Sequence, residues 1–141
     1  MNRGGERPAA LDAELVRSYL VAAHGNFEKV KELVELEPAL VNATINWGGD
    51  DWESGLGAAA HTGNREMALW LLERGARMDI FTAAMLGELE VLKAILAVQP
   101  EAINAPGPHG IPLIHHARMG KEAAADVLVY LENKMKVGEV L

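Results

Sequence analysis

The sequence predicts an all-α domain of stacked helix–turn–helix units, and three observations predict it. A ten-residue phrase recurs, as SGLGAAAHTG at Ser54–Gly63, MDIFTAAMLG at Met78–Gly87 and IPLIHHARMG at Ile111–Gly120. Each phrase ends in glycine and runs straight into an apolar stretch with helical spacing, and a weaker copy, SYLVAAHG, ends at Gly25. Self-similarity of this period marks a stacked-repeat architecture. The second observation is composition: 50% of residues are hydrophobic but only 5% are aromatic, so Ala, Leu, Val and Met must build a core of closely packed helices. The third is the i, i+3, i+4 spacing of the apolar run after each glycine, which marks a helix with one buried stripe. The chain also has no cysteine, which excludes a disulfide framework and thiol chemistry.

Taken in order, residues 1–10 (MNRGGERPAA) carry Gly, Pro and charge and little to bury, so a disordered tail is expected there. A single domain over 11–135 follows, in units of about 11–41, 42–76, 77–103 and 104–133. In each unit a first helix carries paired small residues: Ala22–Ala23, Ala59–Ala60, Ala83–Ala84 and His116–Ala117. It should end on Gly25, Gly63, Gly87 or Gly120, because glycine enters the left-handed conformation of a helix stop without a Cβ clash. Acids early in each second helix (Glu28, Glu66, Glu88, Glu90, Glu122) suit its positive N-terminus. Buried stripes are expected at Val30, Leu33 and Val34; Met67, Trp70 and Leu71; Val91, Ile95 and Leu96; and Val127, Leu128 and Leu131. No unit can bury such a face alone, so the units must stack. The terminal helices place Asp12, Glu14 and Arg17, and Lys121, Asp126, Glu132 and Lys134, where polar outer faces are needed.

A first helix rich in small residues, a Gly turn and a Leu-rich second helix closing in Arg74–Gly75–Ala76 resemble the ankyrin repeat, with its T-P-L-H-x-A-A-x-x-G pattern. Ser54 to Gly63 follows it without a gap, and Ile111 to Gly120 keeps Pro112 and Leu113. The resemblance covers about Leu11 to Leu131. It implies a solenoid of helix pairs with short β-hairpin fingers between units. Its partner-facing residues lie on the fingers and at the two positions before each turn Gly.

The sequence departs from that pattern in two ways. The motif's His is replaced by Gly57, Phe81 and Ile114, so packing must substitute for its usual hydrogen bonds. The turn glycines are also unevenly spaced, by 38, 24 and 33 residues. The short interval leaves no room for a finger between Ala76 and Asp79, and Asp79 should cap the next helix instead. The long interval enlarges the finger NATINWGGDDWE at 42–53, and the last finger, NAPGPHG, is stiffened by Pro106 and Pro108. This irregularity is the best local clue to function.

Carried over, the partner-facing helix positions are Ala23 and His24, His61 and Thr62, Met85 and Leu86, and Arg118 and Met119. The fingers add Asn46, Trp47, Asp50, Asp51, Trp52, Glu53 and His109. Trp47 and Trp52 stand off any helical stripe and read as interface anchors ringed by acids, or else as a local mini-core; Trp70, on a stripe, reads as core. With its finger missing, the third unit should leave Met85 or Leu86 in an apolar notch, a recognition floor suited to adaptable Met.

The net charge of −7 argues against nucleic acid or an anionic membrane as partner. No run is long and apolar enough to span a membrane, and no signal peptide opens the chain, so a cytoplasmic monomer is expected. The expected function is a protein- or peptide-binding module, with a partner whose apolar socket has a basic rim. No cofactor, metal ligand set or catalytic residue is assigned. His24 and His61 occupy equivalent positions in adjacent units, and His109, His115 and His116 fall together in the last, but no zinc-type spacing is present. His115 and His116 point about 100° apart on a helix, and Asp50, Asp51 and Glu53 read as a solvated loop. The alternative is a small-ligand, metal-binding or catalytic pocket near Trp52, His61, Met85 and His109.

Overall fold

Helices arranged in consecutive pairs, with one small hairpin, make up the computed structural model, which describes residues 7–140. Residues 1–6 of the expected tail lie outside the described residues; residues 7–10 are exposed and carry no regular structure. The pairs are α1 (Ala13–Ala22) and α2 (Phe27–Leu36), α3 (Gly55–His61) and α4 (Arg65–Glu73), α5 (Ile80–Leu86) and α6 (Leu89–Val98), and α7 (Leu113–Met119) and α8 (Ala125–Val140). A hairpin of β1 (Thr44–Gly48) and β2 (Asp51–Ser54) lies between the first two pairs. No described helix is long and apolar enough to cross a membrane.

Local chemistry explains where the helices start. Asp12, Asn26, Ser54, Asn64 and Asp79 each accept a hydrogen bond from the main-chain N–H three residues on, satisfying a donor the first turn leaves free. The Asp79 bond to the Thr82 N–H is 2.8 Å, so the expected cap is present. No strand lies between Ala76 and Asp79, and that turn is held by Asn42, more than thirty residues earlier in the chain. The Asn42 amide donates to the Gly75 carbonyl (3.0 Å), and its oxygen accepts from the Arg77 N–H (3.0 Å).

The first helices α3, α5 and α7 pack side by side, which explains their small residues. Ala23, Ala59, Ala60, Ala83 and Ala84 have no exposed surface, and Ala117 almost none. One cluster gathers the first two pairs and a second gathers the last two; α5 contributes Met85 and Leu86 to the first, Ile80 and Ala84 to the second. In the third unit the expected stripe is rotated: Leu92 is fully buried while Val91 is exposed.

The turn glycines divide into two kinds. Gly63 (φ 70°) and Gly87 (φ 80°) adopt the left-handed stop, but Gly120 (φ −77°) does not, and Lys121 (φ 52°) takes that role in its place. Gly120 is required by proximity instead. A Cβ there would overlap the Met85 carbonyl oxygen and lie 2.5 Å from the Ala124 Cβ. At Gly87 a Cβ would overlap the Ala123 carbonyl oxygen.

Candidate functional site: a histidine–carboxylate cluster

The hairpin decides what reaches the site. Its strands pair Thr44 with Ser54, Ile45 with Glu53 and Asn46 with Trp52, and an irregularity between Asn46 and Gly48 leaves Trp47 unpaired. Alternation along a strand sends successive side chains to opposite faces. Ile45, Trp47, Asp51 and Glu53 therefore turn toward the helices, and Trp52 turns to solvent with 59% exposure. Trp52 pairs with Asn46, the residue before Trp47, so the two tryptophans lie on opposite faces.

Glu53, 2% exposed, is the hub. Its Oε1 accepts from the Trp47 Nε1–H at 2.8 Å and lies 3.1 Å from His24 Nε2 and 3.2 Å from His109 Nε2. Its Oε2 lies 2.9 Å from His61 Nε2. Arg17 backs the Trp47 ring at 5.3 Å. Burial pushes the Glu53 carboxyl up, but hydrogen bonds from His61 and Trp47 and the charges of His24 and His109 more than offset it, and the net shift is downward.

His24 lies in the turn after α1, His61 ends α3, and His109 lies in a short 3-10 turn, Pro108–Gly110, before α7. One ligand atom from each histidine and one Glu53 oxygen all lie within 4.8 Å of one another. The ring centres form a near-equilateral triangle with sides of 5.1, 5.3 and 5.7 Å. A tetrahedral ion bound about 2.05 Å from each Nε2 would set the ring centres roughly 5.2 Å apart.

The far sides of two rings are already engaged. His24 Nδ1 is 2.7 Å from the Leu20 carbonyl oxygen, and His109 Nδ1 is 3.0 Å from Asp51 Oδ2. An N–H at Nδ1 donated to a carbonyl or carboxylate leaves Nε2 as the nitrogen free to ligate, the usual outer support of a metal-bound histidine. Nε2 of each of these two rings faces the Glu53 carboxylate.

Asp51 also accepts from the His109 main-chain N–H at 2.8 Å. That bond is the largest influence on its carboxyl, which is held below the usual range despite some burial. Pro108 packs over α3, its Cγ 3.3 Å from where a Gly57 Cβ would stand. Having no side chain, Gly57 thus leaves room for the loop that carries His109. The hairpin strand β2 and the His109 turn are in direct contact.

Several expectations need correction. Glu53 is buried and cannot belong to an acidic rim. Met85 (1% exposed) and Leu86 (5%) form no notch, because α3 and α7 cover the two sides of α5. Trp47 is half-buried and bound to Glu53, so it belongs to the local core of the hairpin. The pocket expected near Trp52, His61, Met85 and His109 does not exist as drawn, since Trp52 faces away and Met85 is in the core. Ala23 is buried too.

The remaining expected positions lie outside the cluster. Thr62 is occupied with the Ala58 carbonyl at 2.8 Å, Met119 packs behind Gly63, and Asp50 and Arg118 are exposed. Asn46 closes the hairpin turn by donating to the Gly49 carbonyl at 2.9 Å. Nor do His115 and His116 join: His116 is fully buried, its ring centre 4.9 Å from that of Phe81. Comparison with known proteins returns no matching family model and no matching curated sequence.

Proposed function

We propose that this chain binds one divalent transition-metal ion of the zinc class through Nε2 of His24, His61 and His109 and the carboxylate of Glu53. The scaffold is an ankyrin-like stack of helix pairs. The observation that carries the reading is the convergence of three imidazole nitrogens and a buried carboxylate within 4.8 Å, with Nδ1 of His24 and His109 held from outside. Three nitrogens and one oxygen suit zinc and its first-row neighbours; calcium and magnesium prefer all-oxygen shells, and copper(I) prefers sulfur. Four protein ligands make a closed shell, the pattern of structural sites, whereas catalytic zinc keeps a position open. The ion's role is therefore to hold the hairpin, the first two units and the His109 turn together, with no catalysis assigned. Zinc titration by calorimetry and the visible spectrum of the cobalt(II) form test this. One ion should bind per chain, cobalt should give an intense tetrahedral spectrum, and His61→Ala should abolish both. Wild-type protein that binds neither ion at micromolar concentrations would refute the reading.

A second reading is favoured by Trp52, a large apolar side chain 59% exposed on the outward face of the hairpin. It supports protein or peptide binding, in the cytoplasm, with Trp52 as anchor and the exposed Asp50 beside it meeting a basic rim. Trp52→Ala should then abolish partner capture while leaving folding and metal content unchanged; capture that survives the substitution removes this reading.

A further inference from the structure

The four ligating groups are not held equally. His24 follows the fully buried Leu20 and Ala23, and His61 follows Ala58, Ala59 and Ala60, all with no exposed surface. Glu53 is fixed by the strand pairing and by Trp47. His109 differs. Its neighbours from Ala105 to Ile111 are exposed or half-buried, and its own backbone is left-handed at φ 60°. That conformation is unfavourable for a residue with a Cβ. Within the turn, main-chain support comes from Gly107 N–H to Ile111 O (2.9 Å), Gly110 N–H to Gly107 O (2.9 Å) and Ile111 N–H to Pro108 O (3.2 Å). None of these touches His109. One carboxylate does: Asp51 accepts from the main-chain N–H through Oδ1 and from Nδ1–H through Oδ2. The first bond sets the backbone and the second sets the ring. With both fixed, Nε2 points at Glu53 Oε1, 3.2 Å away.

Building on the metal-centre reading above, we propose that Asp51 is the positioning residue that sets this centre's affinity, by holding His109 as a pre-aimed fourth ligand on an otherwise three-ligand site. His24, His61 and Glu53 form a half-site on the first two units. The Asp51 clamp delivers His109 from 58 residues further along the chain. Lost outer-shell partners commonly lower metal affinity about 10–100-fold.

The test is a double-mutant cycle read by zinc affinity against a competing chelator, with the cobalt(II) spectrum alongside. Asp51→Ala should weaken zinc binding about 10–100-fold, while His109→Ala should bind weakly with an altered cobalt spectrum. In the His109→Ala background, Asp51→Ala should have no further effect, an outcome that a general structural role for Asp51 would not give. Asp51→Asn, which keeps one acceptor oxygen for the main-chain N–H, should fall between wild type and Asp51→Ala and guards against misfolding. Wild-type affinity in both Asp51 variants overturns the proposal but leaves the metal reading intact, as does an equal loss in the two backgrounds. Failure of the wild-type chain to bind zinc removes the metal reading itself.

Discussion

Three glycine-to-alanine substitutions separate two costs that the turn glycines combine. Gly75→Ala places a methyl group at φ 96° in open space, with nothing within 4 Å, so it meets conformational strain alone, about 1 kcal/mol. Gly120→Ala is the reverse case: φ −77° suits alanine, but the methyl group overlaps the Met85 carbonyl oxygen and presses on Ala124, an overpacking cost of about 1–3 kcal/mol. Gly87→Ala should show both, because φ is 80° and the Ala123 carbonyl oxygen occupies the site of the new methyl group. Its expected loss is about 2–4 kcal/mol. In a domain of this size 1 kcal/mol moves Tm by roughly 3–5 °C. Thermal unfolding followed by circular dichroism should therefore show Gly75→Ala a few degrees below wild type and Gly87→Ala about 10 °C below it. If Gly120→Ala melts with wild type, or Gly87→Ala costs no more than Gly75→Ala, the close approach of the α5 and α7 turns is not as described.

Other expected outcomes follow from single groups. Burial is the main force pulling the His116 imidazole down from 6.5 to about 4, aided by the charges of His61 and His115 against a raising bond to the Pro112 carbonyl. Between those values the unfolded chain binds more protons. His116 thus contributes stability that is full above pH 6.5 and lost as pH falls through 4, on the order of 3 kcal/mol. Comparing the pH slopes of denaturant unfolding for wild type and His116→Phe checks it, and parallel slopes would be the wrong answer. Trp47→Phe removes the N–H that binds Glu53 and should weaken zinc binding several-fold, whereas Trp52→Phe should leave affinity unchanged; equal affinities would deny Trp47 its supporting role. Ala59→Leu and Ala84→Leu, both at positions with no exposed surface, should each cost about 1–3 kcal/mol in thermal melts. Wild-type melting in both would contradict the side-by-side packing of α3, α5 and α7.

The helix pairs were legible because their signals are local: a capping Asn or Asp, a small-residue first helix, an apolar stripe, a glycine. The absence of a strand at 76–79 and the Asp79 cap could be read from spacing alone. The site was half legible. The equivalence of His24 and His61 is visible in the repeats, and the alternation in DWES already sets Glu53 and Trp52 on opposite faces, but which of the two Trp47 joins depends on the register across the turn. Reading those acids as a solvated run ignored the two-residue period of a hairpin. His109 could not have been placed, because its contact with Asp51 joins loops 58 residues apart, which no local pattern reports. Burial of Met85 and Leu86 was missed for a similar reason: losing a finger exposes a helix end only if neighbouring helices do not cover it.

The separation of the ligating residues along the chain has a thermodynamic consequence. Intervals of 29, 8 and 48 residues separate His24, Glu53, His61 and His109, so the unfolded chain presents no chelating run. An ion bound by all four recognises only the docked units, and its binding free energy goes into their docking. Any opening between the second and third units pulls His109 from its partners and leaves the ion only the weaker three-ligand site. At a free-ion concentration 100 times Kd, such openings become up to about 100-fold rarer, close to 2.7 kcal/mol. Metal supply would then govern how long the junction stays shut, and so how often its buried alanine seam meets water or a protease.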